Sequence, residues 1–143
     1  MAHPTCLTDP SVLVALWQAW QDSRPGASGG HEEGGFVLRE PNGSFIVERW
    51  SKGEQATIIL SPHKDCRIGE REIVVSFHTH PNTGSDYLQE PSETDRRAVR
   101  DDPDLKDKFY EGELVISQKK IYLIEPDDQV SEVGNTQEIL ARD

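Results

Sequence analysis

Two histidines and one carboxylate carry the metal chemistry this sequence is equipped for. His78-Thr79-His80-Pro81 is followed, after a loop, by Ser92-Glu93-Thr94-Asp95. Two imidazoles and a carboxylate suit a catalytic zinc whose fourth coordination position stays open. The histidines close the run Ile73-Val74-Val75-Ser76-Phe77, which reads as a buried β-strand. At i and i+2 on a strand both rings point to one face, with Cα atoms roughly 6.6 Å apart, a gap that one ion can bridge. Ser92 has the character of a helix N-cap, which puts Asp95 in the first helical turn, where the helix dipole favours an anion. A capping arrangement, with Asp where Glu is usual, would by itself account for Ser92 and Asp95. It does not account for the histidines, because two imidazoles side by side at the end of an apolar strand are costly to bury unpartnered.

The pattern Glu…His-Thr-His-Pro…Ser-x-x-Asp resembles that of the JAMM metalloproteases, the catalytic branch of the MPN (or JAB) domain family, over about residues 32–124. The resemblance implies that His78, His80 and Asp95 hold one zinc ion per chain and that Ser92 helps to stabilise an oxyanion. It also implies an upstream glutamate as general base, three residues before a glycine that opens an apolar strand. Glu32, with Gly35 and Phe36-Val37-Leu38 after it, occupies that place. Glu33 is adjacent and equally acidic, and the unbroken apolar run does not decide by parity which of the two faces the site. For both, the ordinary alternative is an exposed loop acid. The loop from Pro81 to Pro91 is longer than in the compact family pattern and is expected to bulge beside the metal.

The implied fold is α/β, a mixed β-sheet flanked by helices with MPN/JAB-like (cytidine-deaminase-like) layering. The implied activity is zinc-dependent hydrolysis of an amide bond at the C-terminal tail of a ubiquitin-like or sulfur-carrier protein, as in small prokaryotic members. Two other classes stand beside it. One is a non-catalytic MPN-type scaffold, which typically lacks the ligands; the other is a metallohydrolase of small amides or peptides.

Composition agrees with a small enzyme. The 143 residues make one domain, 1–143, long enough for a proper core. Cys6 and Cys66 are too few for a disulfide framework, and Cys66, in a polar stretch, reads as a free loop thiol. The N-terminus has no signal-peptide pattern and no segment is apolar enough to span a membrane, so the expected location is the cytoplasm. A net charge of −11 argues against nucleic acid as a partner and leaves room for a basic or mixed-charge protein.

The remaining elements must position the site. Asp9-Pro10 is a helix start, and Val12, Leu13, Leu16, Trp17 and Trp20 then form an apolar stripe that should pack on a sheet. Residues 36–39 and 44–50 read as strands joined through Pro41-Asn42-Gly43, and 56–60 as a third strand. The ligand strand spans 72–80, and a helix runs from Ser92 to about Asp101, ended or kinked by Pro103. Residues 114–117 and 121–124 form a hairpin, and 135–142 a short terminal helix or a frayed tail. The remaining histidines are weaker candidates: His3 and His63 are expected in solvent, and His31, before Glu32, could line the cleft.

Overall fold

Asp9 and Pro10 start the first helix as their types require. The Asp9 carboxylate accepts the Ser11 N–H at 2.8 Å, Pro10 takes the first helical position, and α1 runs Pro10–Asp22. The computed structural model describes residues 4–26, 30–54, 57–83 and 89–141. Its strands are β1 (Gly34–Arg39), β2 (Phe45–Arg49), β3 (Arg67–Ile68), β4 (Arg71–Thr79), β5 (Glu113–Ile116), β6 (Lys120–Ile124) and β7 (Val130–Asn135). Two more α-helices, α2 (Glu93–Arg100) and α3 (Thr136–Leu140), and short 3-10 helices at Thr5–Thr8 and Pro103–Leu105 complete the regular structure among the described residues.

The fold is α/β, with a mixed seven-stranded sheet. Strand order is β2-β1-β4-β5-β6-β7, and β3 pairs with the start of β4. Only β4 and β5 run parallel; the other pairings are antiparallel. The sheet separates two cores. Val37, Val75, Phe77, Leu114 and Ile116 pack with Val12, Leu16, Trp20 and Leu140 on the side of α1 and α3. Phe36, Leu38, Ile73, Val115 and Ile124 pack with Val99 of α2, Trp50 and Leu105 on the other side. With both faces covered, the strands read as continuous apolar runs rather than alternating ones.

Cross-strand partners share a face, so register assigns the polar residues. Gly34 lies opposite His78 and Phe36 opposite Ser76 in the β1–β4 pair. Ser76 lies opposite Glu113, and His78 opposite Val115, in the β4–β5 pair. The α2 face therefore carries Ser76, His78 and Glu113 in one row. Gly112 delivers β5 to that row with φ +125°, and a Cβ there would meet the Ile124 carbonyl oxygen at 2.3 Å.

Several expectations need correction. Residues 57–60 form no strand, and position 56 lies outside the described residues, as does His3. β3 and β7 were not foreseen. His63 is not solvated: its side chain is 10% exposed, and it bonds Asp102 at 2.7 Å and the Ser61 carbonyl at 2.8 Å. Cys66 is a free thiol but a core one, and burial pushes its pKa up to about 12. No helix among the described residues is long and apolar enough to cross a membrane.

Candidate metal centre

The end of β4 and the start of α2 bring three side chains together. His78 and His80 project from the same face, and Asp95 comes to them from the first turn of α2. His78 Nε2 lies 3.3 Å from His80 Nε2 and 3.2 Å from Asp95 Oδ1, and His80 Nε2 lies 3.0 Å from Asp95 Oδ2. A tetrahedral zinc with bonds of about 2.0–2.1 Å requires donors about 3.3 Å apart. The separations are close to that, with each histidine facing a different oxygen of Asp95.

The outer ring nitrogens show what the inner ones must be. His78 Nδ1 bonds the Glu113 carboxylate, and His80 Nδ1 bonds the Gln89 carbonyl oxygen at 3.1 Å. Both partners only accept, so each ring carries its proton on Nδ1. The two Nε2 lone pairs then face each other and a carboxylate across about 3 Å. Such a convergence favours a cation at its centre, whether a proton or a metal ion. These three residues form a group able to bind a metal ion, as their type and spacing suggested.

Without the ion, a proton serves in its place. Burial opposes charge on His78, but the Glu113 and Asp95 carboxylates outweigh it and raise the imidazole pKa well above its ordinary value. Burial likewise opposes ionisation of Asp95, and the His78 and His80 hydrogen bonds overcome it, leaving this carboxyl far below the usual range.

Asp95 is aimed by a capping box. The Ser92 hydroxyl accepts the Asp95 N–H at 3.1 Å, and the Ser92 N–H donates to Asp95 Oδ2 at 2.7 Å. The cap thus leaves Asp95 within the group able to bind a metal ion, so capping and that placement are compatible. The Ser92 oxygen accepts in this box, which leaves its own proton for the adjoining pocket of about 190 Å³.

Glu32 and Glu33 part company at the sheet. Glu32 stands two residues before Gly34 and so shares the face of His78; it lines the pocket with His78, Ser92 and Asp95. Its backbone is held on both sides, the N–H by the Glu54 carbonyl at 2.6 Å and the carbonyl by the Gly53 N–H at 2.9 Å. Burial raises its carboxyl pKa, against the lowering effect of His78 and His80. Glu33 points to the α1 face, where it accepts from Arg49 Nη2 at 2.5 Å and from His31. Neither acid is an exposed loop residue, and His31 turns away from the cleft to Glu33. Trp50, Ile58 and Leu60 form the apolar walls of the pocket. Of the loop 81–91, residues 84–88 lie outside the described residues, and its Gln89 end closes on His80.

Sequence reasoning missed Glu113, which is 2% exposed and bonded to a histidine of the metal-binding group. Its partner His78 is 35 residues away, and only the parallel β4–β5 register joins them. No family model matches this chain, and no curated protein or solved structure matches it.

Proposed function

We propose that this chain is a zinc metalloprotease of the JAMM type. It acts as an isopeptidase or peptidase on the C-terminal tail of a ubiquitin-like or sulfur-carrier protein. One observation carries the reading: His78 and Asp95, two of the three donors of the metal group, line the same small pocket as a buried glutamate and a serine. The helices on the two sheet faces then correspond to MPN/JAB layering. We assign the activity to the cytoplasm, since Cys6 and Cys66 are both free thiols.

His78, His80 and Asp95 would hold the ion. When bound, zinc supplies Lewis acidity to a scissile carbonyl and to water at neutral pH. Glu32 takes a proton from the attacking water and passes it to the leaving amine, a role favoured by its raised pKa. Ser92 donates its hydroxyl proton to the carbonyl oxygen as charge develops there. Trp50, Ile58 and Leu60 limit water around the reacting bond.

The test is hydrolysis by zinc-loaded protein of a ubiquitin-like protein extended at its C-terminus, beside a short peptide amide. Cleavage of the fusion, lost in His78→Ala, supports the reading. Equal cleavage of the short peptide moves the chain to small-amide hydrolysis. Failure on both substrates removes the enzyme and leaves a binding scaffold. The same two-histidine, one-carboxylate set also serves non-haem iron, so iron as the resident metal would redirect the chemistry to oxygen.

A further inference from the structure

We propose that Glu113 is a positioning residue of the metal centre, which holds His78 with its Nδ1 protonated and strengthens Nε2 as a ligand. The inference rests on the metal reading above.

A carboxylate this deeply buried is costly unless donors surround it. Glu113 has them in an ordered chain. Ser76 Oγ donates to Glu113 Oε1 at 2.8 Å, and His78 Nδ1 donates to Glu113 Oε2. Because the Ser76 proton is committed to Glu113, the Tyr110 hydroxyl, 2.7 Å from Ser76 Oγ, is the donor in that contact. The pKa of Tyr110 is raised well above its ordinary value by burial and by Glu113, which keeps the phenol protonated. The sequence Tyr110 to Ser76 to Glu113 thus has every proton directed at the carboxylate, and each bond polarises the next.

Its place in the sheet gives this carboxylate a purpose. Glu113 pairs with Ser76 in register, one step behind His78 on the same face, so it supports the ring from the side opposite the ion. A carboxylate on the far nitrogen of a ligand histidine fixes its tautomer and raises its basicity. Among the described residues, the partner of His80 in the same role is a neutral carbonyl, that of Gln89. The two ligand histidines are therefore unequally supported, and the charged support belongs to His78.

Glutamine at 113 has nearly the same shape and still accepts from Nδ1–H, but it lacks the charge. A packing role predicts that Glu113→Gln is silent; a positioning role predicts that it is not. The experiment is zinc affinity, by competition with a chromophoric chelator at fixed pH, for wild type and Glu113→Gln, with the cobalt(II) absorption spectrum of each. The expected result is a folded variant whose zinc affinity falls roughly 10–100-fold, with shifted cobalt bands. Wild-type affinity and an unchanged spectrum in Glu113→Gln would overturn the inference and leave the metal site standing. A wild type that takes up no metal would overturn the metal reading, and this inference with it. A second measurement needs no variant: zinc-loaded wild type should show a far-downfield, exchange-protected His78 Nδ1–H in proton–nitrogen NMR. A His78 that carries its proton on Nε2 instead would refute the proposal even if the variant failed to fold.

Discussion

Gly34 of β1 lies directly opposite His78 of β4, and that pairing decides which of the two preceding acids meets the metal group. Glu32, two residues before Gly34, shares the face of His78, and Glu33 goes to the other side of the sheet. The glycine also makes the approach possible, since a Cβ at 34 would strike the Trp50 ring at 2.5 Å and the Phe77 carbonyl at 2.6 Å.

Glu32→Gln and Glu33→Gln should therefore separate function from stability. Glu32→Gln should lose roughly 10²–10⁴-fold in activity while keeping its metal. Burial raises the Glu32 pKa, so its preference for the protonated form helps folding below the ordinary carboxyl range and is lost as pH rises through the raised value. At neutral pH the buried charge opposes folding, and metal-free Glu32→Gln should melt higher than metal-free wild type. Glu33→Gln should keep metal and activity but lose about 1–3 kcal/mol, because it weakens the contacts with Arg49 and His31. Melting temperatures and turnover of the two variants check the assignment; the reverse pattern would make Glu33 the base.

Ser92→Ala removes the hydroxyl but not the backbone N–H that holds Asp95 Oδ2. Zinc should be retained, and stability should fall by about 0.5–2 kcal/mol from the lost cap. Turnover should fall by roughly 10²–10³-fold, as expected for a lost oxyanion donor. Full activity in a stable, zinc-loaded Ser92→Ala would leave Ser92 as a cap alone.

His78 and Asp95 set the pH dependence of the metal-free protein. The raised His78 pKa contributes stability in full below about 6.5, which is lost as pH rises through the folded value. The lowered Asp95 pKa contributes stability above about 3.9, which is lost as pH falls through its folded value. Metal-free protein should thus weaken as pH rises above neutrality, and zinc should abolish that decline. Zinc affinity should rise over the same range, because the metal must displace the His78 proton. Denaturant midpoints against pH, with and without zinc, check this; identical curves would remove the coupling.

The site was legible where chemistry is local in sequence. His78 and His80 end an apolar run, Ser92 and Asp95 share one helical turn, and Asp9-Pro10 marks a helix start. What escaped depends on pairing between distant segments. Glu113 reads as the polar residue before an apolar run until the parallel register sets it beside Ser76 and behind His78. The Glu32–Glu33 choice stayed open because both sheet faces are buried, which erases the alternation that parity arguments use. β7 was missed because Val133 is the only buried residue in Val130–Asn135. The stretch 56–60 suggested a strand, yet residues 57–60 form none, and Thr57, Ile58 and Leu60 line the pocket instead. Cys66 and His63 lie in polar sequence, yet tertiary contacts bury Cys66 and hold His63 partly buried against Asp102.

The central claim is that His78, His80 and Asp95 hold a zinc ion. Metal content by mass spectrometry, on purified wild type, His78→Ala and Glu32→Gln, tests it most directly. One zinc per chain in wild type and in Glu32→Gln, with none in His78→Ala, is the predicted result. No zinc in wild type after reconstitution, or full retention in His78→Ala, would contradict it.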